Sequence, residues 1–87
     1  MTDSNATAGN RLTLLTRVDC GLCEEAKREL QRLGASFDCL DIDKDPELQR
    51  RYAEHIPVLL LDGVELAHAP LSMQTLRSAA EAAGRRP

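Results

Sequence analysis

From Arg11 onward the chain alternates between short apolar runs and stretches of helical periodicity. Leu12, Leu14 and Leu15 stand among Thr13 and Thr16, a nearly continuous apolar run that predicts a strand covered on both faces. From Gly21 to Leu33, the residues Cys23, Ala26, Leu30 and Leu33 recur at spacings of three and four, while Glu24, Glu25, Arg28 and Arg32 fall outside that stripe. This predicts an amphipathic helix. Gly34 follows its last apolar position and supplies the left-handed residue that ends it. Ser36 to Ile42 reads as a second strand, and a helix between two strands predicts a right-handed crossover with parallel pairing. Asp45-Pro46 opens a short helix, with Asp as cap and Pro in the first turn, that carries Leu48 and Tyr52 on one side and ends before Pro57. Val58–Leu61 and Val64–Ala67 are separated only by Asp62-Gly63, a pair suited to a type I′ turn, and so form an antiparallel hairpin. Ser72 caps a last helix with Met73, Leu76, Ala80 and Ala83 on one face, and Gly84 stops it.

The 87 residues suffice for one compact domain, placed at 11–84. Residues 1–10 are small and polar and read as a disordered N-terminal tail, and 85–87 as a C-terminal tail. With one Phe, one Tyr and no Trp, the core must be aliphatic and stacking on bases is not expected. The net charge of -3 and the lack of a basic stripe argue against a nucleic-acid partner, since phosphate binding needs clustered cations. Arg50-Arg51 and Arg85-Arg86 are isolated pairs. The first ten residues lack the basic start and apolar centre of a secretory signal, and no run is long enough to span a membrane. Three cysteines make an odd count that fits a reducing compartment, so a cytoplasmic location is expected, with no membrane partner.

The candidate chemistry lies at Cys20-Gly21-Leu22-Cys23, between the first strand and the first helix. A sulfur at the helix N-cap sits beside free amide N–H groups at the positive end of the macrodipole. That position favours the thiolate, which is the species that attacks a disulfide, over the thiol with its ordinary pKa of roughly 8.5. Cys20 is the candidate nucleophile, with a merely capping cysteine as the alternative. The carboxylate of Asp19 opposes the helix-end effect. Cys23, one turn on, is the candidate resolving thiol; its place on the apolar stripe also suits a buried structural cysteine, and the two readings are compatible. Cys39 lies mid-strand in phase with Phe37 and is expected in the core. Asp41-x-Asp43-x-Asp45 begins like a calcium loop, but Pro46 and Tyr52 stand where Gly and Glu are required, so capping explains it better. His55 and His68 complete no zinc spacing with the cysteines, and no metal ligand is assigned.

In its order of elements and in three landmarks the chain resembles the glutaredoxin-like proteins of the thioredoxin-fold superfamily. The landmarks are Leu15-Thr16-Arg17-Val18-Asp19-Cys20-Gly21-Leu22-Cys23, Asp41-Ile42-Asp43 with Asp45-Pro46, and Tyr52 with Ile56-Pro57-Val58-Leu59. The resemblance implies an α/β thioredoxin fold, β-α-β-α-β-β-α, with a four-stranded mixed sheet flanked by helices. It implies a thiol-disulfide oxidoreductase acting through Cys20 and Cys23 on protein disulfides or glutathione mixed disulfides. No bound cofactor is expected; glutathione is a possible co-substrate, and glutathione or a thioredoxin-type reductase the electron donor. A monomer is expected. At Pro57 sequence alone favours a trans bond, whereas the resemblance implies a cis bond facing the cysteines that leaves the backbone of Ile56 to pair with an extended substrate. Arg17 matches a position where many glutaredoxins place a base near glutathione; a solvated loop charge is the alternative. Gly21-Leu22 stand where familiar dithiol glutaredoxins have Pro-Tyr, and His68–Ser72 where they have Gly-Gly followed by acids that contact glutathione. Two further readings stay open: an iron-sulfur or metal-binding glutaredoxin-like module shared between two chains, and a non-catalytic, partner-binding thioredoxin fold.

Overall fold

A computed structural model describes residues 11–84; the tails expected over 1–10 and 85–87 lie outside the described residues. The elements run β1 (Leu12–Thr16), α1 (Gly21–Arg32), β2 (Phe37–Asp41), a 3-10 turn (Ile42–Lys44), α2 (Pro46–Tyr52), β3 (Val58–Leu61), β4 (Val64–His68) and α3 (Met73–Gly84). One mixed sheet has the order β2-β1-β3-β4, with β1 parallel to β2 and antiparallel to β3, and β3 antiparallel to β4. No helix among the described residues is long and apolar enough to cross a membrane.

The sheet separates two apolar layers because neighbouring residues of a strand point to opposite faces. Leu12, Leu14 and Leu59 pack with Ala26 and Leu30 of α1 and with Leu76, Ala79, Ala80 and Ala83 of α3. Leu15, Val58 and Leu60 join Ile42 on the other face, covered by Leu48 and Tyr52 of α2 together with Ala53 and Ile56. The central strand β1 is therefore buried on both sides, as its continuous apolar run requires.

Local chemistry sets the boundaries. α1 ends in a full Schellman arrangement: Ala35 N–H donates to Leu30 O and Gly34 N–H to Gln31 O, both at 3.0 Å, with Gly34 at φ 75°. Asp45 caps α2 by accepting from Glu47 N–H at 3.0 Å and Leu48 N–H at 3.3 Å. Ser72 caps α3 by accepting from Thr75 N–H at 3.0 Å. Asp62 and Gly63 both have positive φ, 54° and 84°, as a type I′ turn demands.

Four details depart from the sequence reading. Cys39 is exposed, not in the core. It shares a face with Phe37 and pairs in register with Leu14, but β2 is an edge strand and the helices bear chiefly on β1 and β3. The second strand is shorter than Ser36–Ile42, because Ile42 leaves it to start the 3-10 turn. Met73 is 49% exposed, and Ala79 takes its place on the buried face of α3. The hairpin extends to His68 and is irregular between Leu59 and Leu60, which pair with Ala67 and Glu65, so Leu66 has no partner in the register.

Candidate active site at the cysteine pair

β1 delivers the chain into a loop, Arg17–Asp19, whose last residue takes a left-handed conformation at φ 60°. Asp and Asn tolerate this region better than other side-chain-bearing residues, through local hydrogen bonding. Cys20 then returns to extended backbone (φ -113°, ψ 105°) as the N-cap of α1, and its carbonyl accepts the first helical hydrogen bond from Glu24 N–H at 3.1 Å. Its Sγ accepts from Cys23 N–H at 3.1 Å, so the sulfur satisfies one of the free donors at the helix start. Cys20 and Cys23 are joined as a disulfide with Cα atoms 5.2 Å apart. Cys20 is half-buried, whereas Cys23 is 1% exposed, on the stripe that meets the core. Of the two sulfurs, only that of Cys20 belongs to a residue with substantial contact with solvent.

The register of β1 with β3 brings the Ile56-Pro57 landmark to the same end of the sheet. Leu15 pairs with Val58, so the residues before Val58 lie beside those after Leu15. These are Ile56 and Pro57, joined by a cis peptide bond, with Pro57 fully buried and Ile56 half-buried. Val58 also pairs with His68, which sets Ala69-Pro70 at this end too; that bond is likewise cis. The two proline loops are tied by Ala69 N–H donating to His55 O at 3.1 Å and by the His55 and His68 rings, 5.0 Å apart between centroids. His68 Nδ1 in turn lies 2.8 Å from Glu65 Oε2. Beside them a groove of about 390 Å³ opens between α1 and the start of α3, with Leu22, Pro57, Pro70, Leu71 and Met73 among its walls.

Arg17 is engaged from the side. Its Nε donates to Asp43 Oδ2 at 3.1 Å and its Nη2 to Oδ1 at 3.0 Å, while Gln49 Nε2 donates to the same carboxylate at 2.9 Å. The hydrogen bond from Arg17, aided by its charge, holds the Asp43 carboxyl below the usual carboxylate range, and Asp43 raises the guanidinium above its own. The acidic run is thereby accounted for residue by residue. Asp41 accepts from Asp43 N–H, Asp43 clamps Arg17, and Asp45 caps α2.

The site residues expected from sequence thus fall into two groups. Cys20, Cys23, Ile56 and Pro57 gather at one end of the sheet, whereas the guanidinium of Arg17 points its donors at Asp43. The second cis proline and the contact between the histidines had no signal in the sequence strong enough to find them; His55-Ile56-Pro57 and His68-Ala69-Pro70 repeat a pattern whose meaning needs the β3–β4 register. Among the described residues no three His, Cys, Asp or Glu side chains gather as a metal site would require.

Comparison with known proteins agrees with this architecture. Residues 11–81 match the family model of the glutaredoxin-like domain (DUF836). An uncharacterised protein, Rv0508 of Mycobacterium tuberculosis, is 31% identical over 77 residues, spanning 78% of this chain and 79% of that protein. A solved structural-genomics target from X. campestris superposes with a TM-score of 0.68 at 38% identity, covering 83% of this chain and 97% of that one. The glutaredoxin-like NrdH-redoxin of Escherichia coli, 24% identical, shares the fold with a TM-score of 0.63 over 78% of this chain and 92% of its own. On the match of nearly the whole described chain, with Cys20 capping α1 at the sheet end that also holds the cis Ile56-Pro57 bond, the protein belongs to the glutaredoxin-like family.

Proposed function

We propose that this protein is a thiol-disulfide oxidoreductase that cycles Cys20 and Cys23 between dithiol and disulfide. The observation that carries the reading is the position of the Cys20 sulfur: partly open to solvent, hydrogen-bonded to a helix-start N–H, and within bonding reach of Cys23. In the reduced protein the Cys20 thiolate attacks one sulfur of a substrate disulfide, forming a mixed disulfide and releasing the other sulfur as a thiolate that takes a proton from water. Cys23 then loses its proton to solvent and attacks the Cys20 sulfur, closing the internal disulfide and releasing the second thiol. The substrate gains two electrons and the protein loses two. Burial keeps Cys23 away from external disulfides until this second step, and so divides the roles.

The substrate is a protein disulfide or a glutathione mixed disulfide. A protein substrate is supported by Val18 and Leu22, 66% and 57% exposed on either side of Cys20, which offer apolar surface to a polypeptide. An extended segment laid along the backbone of Ile56 beside Pro57 would hold its sulfur at Cys20. Arg17 serves first to anchor the loop that presents Cys20, because Asp43 already meets its charge. Reducing equivalents return from glutathione or a thioredoxin-type reductase, and the protein works without a bound cofactor, as a monomer in the cytoplasm. The test is disulfide reduction by wild type and Cys20→Ser under the same donor. Loss of turnover in the variant is expected; a variant as active as wild type would falsify the assignment.

A further inference from the structure

The charges around the Cys20 sulfur are not balanced, and the imbalance has a direction. The cations that flank Cys20 in sequence already hold carboxylates: Arg17 with Asp43, Lys27 with Glu24 and, at the far end of α1, Arg32 with Glu29. Close to Cys20 in the chain, two carboxylates have no cation paired with them among the described residues. One is Asp19, exposed and directly before Cys20, where φ 60° fixes the turn of the chain. The other is Glu25, exposed on α1 in the wall of the groove. The unpaired cation in that wall, Arg28, lies eight residues beyond Cys20, or about 12 Å along the axis at roughly 1.5 Å per residue. Glu25 lies about 7.5 Å along by the same rise, and Asp19 is adjacent in the chain. With a screening length near 8 Å at physiological salt, a disulfide arriving at Cys20 meets Asp19 most strongly, Glu25 at roughly 0.4 of its unscreened strength and Arg28 at roughly 0.2, so the balance stays negative.

We propose that Asp19 and Glu25 make this site select its disulfides by charge, favouring those with a cationic group beside the S–S bond and disfavouring anionic ones such as oxidised glutathione. The inference rests on the oxidoreductase reading and names its substrate class: protein disulfides flanked by Lys or Arg. The chemistry is the exchange already written. The two carboxylates do not take part in it; they change the concentration of each disulfide at the nucleophile. Any effect of Asp19 on the thiolate itself acts on all substrates alike, so a ratio of rates between substrates isolates the selectivity.

The full-length reduced protein, freed of reductant, is mixed with cystamine, 2-hydroxyethyl disulfide or dithiodipropionate, which are cationic, neutral and anionic. Single-turnover rates are divided by those of uncharged dithiothreitol with the same disulfide, removing intrinsic differences in the leaving group. The expected order is cystamine, hydroxyethyl disulfide, dithiodipropionate, with a normalised ratio of roughly ten between the extremes at low ionic strength, falling towards one at about 0.5 M salt. Asp19→Asn, which keeps a residue tolerant of positive φ, should lower that ratio about threefold, and adding Glu25→Gln should bring it close to one. A normalised ratio at or below one in wild type, or a ratio unmoved by Asp19→Asn, overturns the selectivity while leaving the oxidoreductase reading in place. Failure to reduce any of the three disulfides overturns both.

Discussion

The backbone N–H of Cys23 donates to the sulfur of Cys20 at 3.1 Å, so one contact caps α1 and steadies the atom proposed to react. Structural and chemical roles of Cys20 can be separated by substitution. Serine keeps an oxygen acceptor at the N-cap and alanine does not, so the reduced Cys20→Ala protein should be less stable than reduced Cys20→Ser by about 1 kcal/mol. Neither should turn over a disulfide. Urea denaturation under reductant reads the first difference and a reduction assay the second; equal stability of the two variants would show that the cap contributes nothing.

Replacing the resolving thiol stops the cycle halfway. With Cys23→Ser, attack by Cys20 still forms a mixed disulfide, but no internal sulfur displaces the substrate. Mass spectrometry after mixing with a small disulfide should find one substrate moiety on Cys20, stable until an external thiol is added. Exposed Cys39 must be replaced in this experiment, since it offers a second site of attachment. Absence of an adduct at Cys20 would assign the attack to another residue.

The Arg17–Asp43 pair predicts a specific dependence on pH. The carboxyl of Asp43 is held below its usual range chiefly by the hydrogen bond from Arg17, so the folded state favours the ionised form. The sign follows from linkage: the contribution is fully present above the unfolded carboxylate pKa, near 4, and is lost as pH falls through the lower folded value. Both side chains are about one-third exposed, at 35% and 34%, so the effect is modest. Thermal melts of wild type and Asp43→Asn should differ at pH 6 and converge towards pH 3. Curves separated by the same interval throughout would contradict it.

Two leucines test the layered core. Leu30 is fully buried between α1 and the sheet, and Leu30→Ala should cost about 2–5 kcal/mol through lost burial and a residual cavity. Leu40, 46% exposed on the edge strand, should cost less than about 1 kcal/mol when changed to alanine. Chemical denaturation compares them directly. Equal losses would mean that the edge strand is covered by something beyond this chain.

How legible these features were in the sequence follows from how local their causes are. The helix carrying Cys23, Ala26 and Leu30, the Gly34 stop, the Asp45 and Ser72 caps and the Asp62-Gly63 turn each depend on residues within a turn of one another, and sequence reading finds all of them. Cys20 as N-cap belongs to the same class. Cys39 fails because period-two alternation tells which face a residue takes but not whether that face is covered, and coverage depends on where α1 and α3 settle across the sheet. The ion pair of Arg17 is hidden for a related reason: Asp43, its partner, is 26 residues away and arrives through the parallel pairing of β1 with β2. The cis bond at Pro57 was reached through family resemblance, while that at Pro70 belonged to no recognised landmark.

The claim on which the rest depends is that Cys20 and Cys23 form one reversible two-electron couple, and redox titration with site-resolved counting tests it most directly. The protein is equilibrated in buffers of graded dithiothreitol ratio, alkylated, digested and weighed peptide by peptide, with free Cys39 as internal control. The account predicts that Cys20 and Cys23 lose reactivity together along a single two-electron curve while Cys39 is alkylated throughout. A Cys20 that stays alkylatable under the most oxidising buffer, or one that changes independently of Cys23, would contradict it.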